Sequence, residues 1–125
     1  MISEDDFQFF ADYAIFRPSG HLSLDEAIAL VSEAISFAAS RGIPRLLADT
    51  TGLTGFPSPS TLQRFEMAEQ WAAASRGLRL VVVARPELID PSRFGVTVAR
   101  NRGLTANVFA SAPEAIEWLL HPNPP

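Results

Sequence analysis

The densest group of reactive side chains is Asp49-Thr50-Thr51-Gly52-Leu53-Thr54-Gly55-Phe56-Pro57-Ser58-Pro59-Ser60-Thr61, with one carboxylate, six hydroxyls and two glycines. Hydroxyls in such a run can hydrogen-bond a partner or accept a phosphate, which adds about −1.5 to −2 charges and can rearrange a docking surface. A helix that starts here would offer unpaired N–H groups and a partial positive charge, both of which stabilise an anion. Asp49, Thr50, Thr51, Thr54, Ser58, Ser60 and Thr61 are therefore the candidate partner-binding or anion-binding residues. Structural uses for the same groups stay open: Ser58 as a helix N-cap, the threonines in turn hydrogen bonds, the glycines for backbone demand. Asp49 has no second carboxylate or histidine near it in sequence. Neither a metal site nor a general base with an orienting partner is expected there. Its expected role is to accept hydrogen bonds from the loop N–H groups that follow it.

A second type of chemistry is apolar. Nine phenylalanines in 125 residues leave aromatic surface beyond what a small core demands. Phe56, Phe65, Trp71 and Phe94 are the candidates to line an apolar pocket. Other polar candidates carry weaker signals. Arg85 and Glu87 suit a solvated pair and His21 a surface site; Arg93 and Arg100, seven apart, share a basic face of one helix with Arg102 off it, which suits a solvated face better than an anion site.

Absences narrow the field. The chain has no cysteine, and all ten basic residues are arginine. Thiolate nucleophiles, cysteine-held metals, Schiff-base lysines and the lysine of a phosphate-binding loop are excluded. A net charge of −4 argues against general nucleic-acid binding, which depends on basic contacts to phosphate. No apolar run approaches the roughly 20 residues of a membrane span. The acidic start, Met1-Ile2-Ser3-Glu4-Asp5-Asp6, has the wrong sign for a secretory signal, so a cytoplasmic location is expected. No cofactor is implied.

The elements that would position these residues follow from pattern. Phe7 to Phe10 and Tyr13 to Arg17 read as an N-terminal hairpin ended by Pro18-Ser19-Gly20. Ser23 and Glu26 form a capping box, and Leu24, Ile28, Val31, Ile35 and Ala38 make a helical stripe closed by Gly42. Arg45 to Asp49 reads as a buried parallel strand. Ser58-Pro59 suggests an N-cap with proline at the first helical position, and Leu62, Phe65, Ala68 and Trp71 form the inner face that follows. Leu78 to Ala84 is the most β-like segment. A third helix is expected from Asp90-Pro91 or Ser92 to Gly103, a last strand at Thr105 to Phe109, and a closing helix behind a capping box at Ser111 and Glu114. The order β-β-α-β-α-β-α-β-α predicts an α/β fold: a mostly parallel sheet of about five strands, an antiparallel N-terminal edge and about four helices. One domain is expected over residues 1–120, with a proline-rich tail over 121–125.

Leu46-Leu47-Ala48-Asp49-Thr50-Thr51-Gly52-Leu53, leading to Ser58 and a helix in this order of elements, resembles the STAS superfamily. That superfamily comprises the anti-sigma factor antagonists and the related domains of sulfate transporters. Phe94-Gly95, Ala99-Arg100-Asn101-Arg102-Gly103 and the helix Glu114-Ala115-Ile116-Glu117-Trp118-Leu119 are similar to small, poorly characterised bacterial STAS-like proteins. The resemblance spans roughly residues 7 to 120. It implies a non-enzymatic regulatory module that docks a protein partner through the loop and helix starting at Ser58. It also implies Ser58 as the match to the serine that a partner kinase phosphorylates in the antagonists. The chain departs from that motif: Pro57 stands where the antagonists carry Asp, Pro59 follows the serine, and Ser60 replaces Gly. The alternative is a small-molecule or lipid-binding domain with an apolar pocket beside the sheet. The expected partners are a protein or a small apolar ligand, with homodimerisation a further option.

Overall fold

The computed structural model describes residues 2–122. The last three residues of the proline-rich tail, Asn123 to Pro125, lie outside this range. Seven strands and four α-helices follow in order: β1 (Phe7–Phe9), β2 (Ala14–Phe16), β3 (Ser19–His21), α1 (Leu24–Ser40), β4 (Arg45–Asp49), β5 (Gly52–Thr54), α2 (Thr61–Ser75), β6 (Arg79–Val83), α3 (Phe94–Asn101), β7 (Ala106–Phe109) and α4 (Ala112–Leu120). Single 3-10 turns precede β1 and follow β6.

The main sheet has the order β1-β2-β4-β6-β7, with β1 antiparallel to β2 and the other pairs parallel. The expected mixed α/β sheet with its antiparallel edge is the one observed. From β2 onward each new strand of this sheet is added on the same side as the last. Right-handed crossovers in one direction place every crossover helix on one face. Accordingly α1, α2 and α3 cover the face that presents Ala14, Phe16, Leu46, Ala48, Leu80 and Ala106. The opposite face presents Ile15, Leu47, Val81 and Val83 and is covered by α4 through Ala115, Trp118 and Leu119. Buried side chains at alternate positions therefore serve two separate cores, which is why these strands read as continuous apolar runs.

Local chemistry sets the helix limits. Ser23 accepts from the Glu26 N–H at 3.1 Å while the Glu26 carboxylate accepts from the Ser23 N–H at 2.9 Å. The Ser23 backbone N–H first, and the Ser23 hydroxyl after it, hold the Glu26 carboxyl below its ordinary pKa. At the far end of the sheet, Arg79 donates to the carbonyls of Leu119 at 2.9 Å and His121 at 2.8 Å, tying the end of α4 to β6.

Five sequence expectations are corrected. The segments Ser19–His21 and Gly52–Thr54, expected as breaker and loop, pair in parallel as a separate two-stranded sheet. Three-residue strands carry no readable alternation, and Leu53 is the buried residue that anchors this one. Helix α2 begins at Thr61 rather than after Ser58, because Ser60 forms a capping box with Gln63. Leu62, expected on its inner face, is 66% exposed in the first turn of α2. Helix α3 starts only at Phe94, after Arg93 in a left-handed conformation, and Ser111 bonds the Glu114 carboxylate without capping a backbone N–H.

Candidate functional site

The seven polar residues singled out around Asp49 fall into three groups with separate partners. At the end of β4, one Asp49 oxygen accepts from the Thr51 N–H at 3.1 Å and the Thr51 hydroxyl at 2.7 Å. Arg17 reaches the other oxygen at 3.4 Å. Thr50 donates both its N–H and its hydroxyl to the Val83 carbonyl, each at 2.9 Å, and so ties the end of β4 to the end of β6. Thr54 lies in the small sheet, within 3.4 Å of the Gly20 carbonyl and of His21 Nδ1. Ser60 caps α2, and Thr61 is exposed in its first turn. Ser58 lies ahead of the helix, exposed, and accepts from Arg64 Nη2 at 2.9 Å. The capping box already uses the Gln63 N–H, so the start of α2 is closed largely by the protein's own groups.

Two arginines strap this loop to the segment after β6. Arg64 also donates to the Leu88 carbonyl at 3.1 Å, and Arg85 donates to the Leu53 carbonyl at 2.8 Å. The Arg85 Nε is buried without a hydrogen-bond partner and sits 3.9 Å from Glu87, too far for more than a weak surface attraction. The expected basic face on α3 does not form. Arg93 turns inward to Asn107 Oδ1 at 2.5 Å and lies over the Phe109 ring, Arg100 donates to the Ala106 carbonyl, and Arg102 pairs with Glu69 at 2.8 Å.

Between the sheet and α1, α2 and α3 lies a cavity of about 140 Å³, partly open to solvent. Leu80 and Val82 form its floor, Ile28 and Val31 one wall, and Phe56, Met67 and Trp71 another. The Trp71 ring is fixed by its N–H, which donates to the Ile28 carbonyl at 3.1 Å. Of the four aromatic residues proposed for a pocket, Phe56 and Trp71 line this one. Phe65 and Phe94 are not on its lining and pack against the core that includes Leu80 and Leu104. The void exists because small residues meet across it: Ala27 from α1, Ala68 from α2, Gly95 and Ala99 from α3, Ala106 from β7. Native cores seldom leave room for more than a water molecule, so a space of this size is a specific feature of the packing.

The polar groups on the cavity are Thr50, Arg64, Asp90, Arg93 and Asn107. Sequence reasoning missed Arg64, Asp90 and Asn107 as site residues, and no local motif marks them. Asp90 accepts from the Phe94 N–H at 3.0 Å and from the Ser92 hydroxyl at 2.8 Å. These bonds, the backbone one first, hold its carboxyl below the ordinary value of 3.8. A lowered carboxyl pKa contributes stability that is complete above the ordinary value and is lost as pH falls through the lowered folded value. Below about pH 4 the start of α3 should therefore loosen. The check is thermal melts from pH 7 to pH 3 on the wild type and Asp90→Asn: the variant should lose less stability over the acid limb, and parallel curves would refute the assignment.

Among the described residues, no cluster of three His, Cys, Asp or Glu is placed to hold a metal ion, and no helix is long and apolar enough to cross a membrane.

No family model matches the chain, and no curated protein matches its sequence. Solved structures do. An anti-sigma factor antagonist from Mycobacterium paratuberculosis is 18% identical with a TM-score of 0.56, and the match covers 92% of each chain. An uncharacterised protein with a SpoIIAA-like fold from Shewanella loihica is 20% identical with a TM-score of 0.49 over 90% of each chain. At such low identity the first match establishes the fold. The chain has the fold of the antagonist, with the mixed α/β sheet that its sequence pattern predicted.

Proposed function

We propose that the chain is a non-enzymatic regulatory module that docks a protein partner through the segment from Ser58 into α2. The observation that carries this reading is Leu62, 66% exposed in the first turn of α2 and flanked by the exposed Ser60 and Thr61. Burying a leucine in a partner contributes about 1.5–3 kcal/mol, the scale of an interface anchor. The shared fold with an anti-sigma factor antagonist, a protein named for the factor it opposes, supports a protein as the occupant. Ser58 belongs to the same proposal as a phosphate acceptor. A phosphate there would face the Arg64 guanidinium, which already reaches the hydroxyl and could form charge-assisted bonds.

Leu62→Glu should reduce capture of the partner from the native cell by about tenfold or more, on the scale of one lost anchor. Leu120→Ala, on the opposite side of the sheet, should leave capture intact. A partner held equally by the wild type and Leu62→Glu would reject this surface. Intact mass of the native protein, with Ser58→Ala and Ser58→Glu in the same capture, tests the switch; an unphosphorylated protein with unchanged partners would remove it.

The cavity favours a second reading, in which the module binds a small apolar ligand beside the sheet. Native mass spectrometry of the protein purified from its own cell would show a retained molecule. A clean unliganded mass, without thermal shift across an apolar panel, would count against it.

A further inference from the structure

The polar groups that border the cavity between the sheet and α1, α2 and α3 are engaged by the protein itself. Asn107 alternates along β7 with Ala106, which packs on the cavity side, and so shares the α4 face with Phe109. The Arg93 guanidinium lies with them, bonded to Asn107 Oδ1 and over the Phe109 ring. The Thr50 hydroxyl donates to the Val83 carbonyl, and the Trp71 N–H to the Ile28 carbonyl. Arg64 donates to Ser58 Oγ and the Leu88 carbonyl, while Asp90 accepts from Ser92 and Phe94. The opposite charges of Arg64 and Asp90 balance at the lining. An ion entering here would give up its hydration without gaining an unpaired counter-charge. A water molecule would lack the two to four polar partners that hold it, so an apolar group displaces it with a gain.

Size and wall restrict the occupant further. A space of about 140 Å³ is well below the roughly 300–1,000 Å³ of drug-sized pockets. It is close to the roughly 150 Å³ of an apolar cavity that accepts a single benzene ring. One ring with a short substituent fits this space, and a long acyl chain does not. Phe56, Met67 and Trp71 stand together on one wall. Aromatic pairing and sulfur–aromatic contact add to the burial of a ring but not to that of an alkyl chain.

Building on the ligand-binding reading given above, we infer that the cavity takes a neutral molecule made of a single aromatic ring, held between the wall of Phe56, Met67 and Trp71 and the floor of Leu80 and Val82. Ionised acids and long acyl chains are rejected, the first by the balanced lining and the second by the volume.

The two tryptophans supply the readout, since Trp71 stands on the cavity wall and Trp118 in the separate core beneath α4. Their indole N–H signals are followed by NMR on the nitrogen-labelled full chain as ethylbenzene, phenylacetate or decan-1-ol is added. Ethylbenzene should shift the Trp71 signal and leave that of Trp118 in place. Phenylacetate, with a similar ring and a carboxylate, should bind about tenfold or more weakly, and decan-1-ol should also bind more weakly. Ala68→Leu and Val82→Phe, which fill the cavity from α2 and from β6, should each abolish the ethylbenzene shift. Two positions on different elements keep this comparison when one variant does not fold. Phenylacetate bound as tightly as ethylbenzene would overturn the neutral assignment, and decan-1-ol bound as tightly would overturn the single ring; either leaves an apolar ligand site standing. A shift of Trp118 alone, or ethylbenzene bound unchanged by a folded filling variant, would overturn the location. Binding of none of the three would overturn both this inference and the ligand reading beneath it.

Discussion

Replacing Gly55 by alanine should destabilise the protein by about 3 kcal/mol, combining backbone strain with a lost hydrogen bond. Gly55 has φ +110°, and an added Cβ would stand 2.5 Å from the Leu22 carbonyl oxygen and 3.0 Å from the Leu22 nitrogen. Both obstacles are backbone atoms of the turn that leads into α1, so neither can rotate away. Relief requires that β5 and the Leu22 turn move apart, which strains the Leu22 N–H bond to the Thr54 carbonyl, 2.7 Å in the native protein. Melting temperature should fall by about 12 °C for a chain of this size. Gly42 provides the control: its φ is +73°, but nothing lies within 4 Å of an added Cβ. Gly42→Ala should therefore show the conformational penalty alone, about 1 kcal/mol. Similar melting temperatures for the two variants would refute the clash. Because Gly55 precedes Phe56 on the cavity wall, Gly55→Ala should also weaken any ligand bound there.

Leu80→Ala should cost about 2–5 kcal/mol, the range for truncating a fully buried leucine. Leu80 is 1% exposed and forms the cavity floor. Leu47→Ala removes the same atoms from the other face of the sheet, where α4 covers a fully buried leucine. The two variants should lose similar stability in the absence of ligand, read by urea unfolding. They should differ in ligand preference: Leu80→Ala should favour apolar ligands several carbons longer than the wild type does, and Leu47→Ala should not. The same preference in both variants would show that Leu80 does not bound the ligand's space.

The architecture was legible in the sequence where several signals agreed. Ser23 with Glu26, the stripe from Leu24 to Ala38 and the apolar run to Asp49 all point to one helix and one buried strand. The start of α2 was misplaced because two serines compete, and Pro59 draws attention to Ser58. The decisive signal was the Ser60–Gln63 pair, whose reciprocal bonds close the helix at Thr61. Leu62 misled for a related reason: its spacing to Phe65 fits an inner face, but the side chains of residues 61–63 are exposed and burial of α2 begins only at Arg64 and Phe65. The paired three-residue strands were invisible because their partners lie more than thirty positions apart, as in Gly20 opposite Leu53. Asp49 was read correctly as a group engaged by its own loop. The cavity was not readable, since a void is made by residues that are small rather than by residues that act. Ala27, Ala68, Ala99 and Ala106 come from four different elements, and only the fold brings them opposite one another.

The small sheet of β3 and β5 also shapes the order in which the molecule opens. The chain entering α1 is pinned by β3 on β5, and the strands on either side of that helix are pinned by β2 on β4. Helix α1 is thus enclosed by two ladders that both close across it, and it cannot peel away without breaking them. Among the described residues helix α4 has no ladder beyond it, and it is held by its apolar face and the Arg79 clasp. Cooperative opening units follow such connections, with weakly tied elements released at lower free energy. The N-terminal half accordingly behaves as a latched unit, and the last helix is its detachable cover.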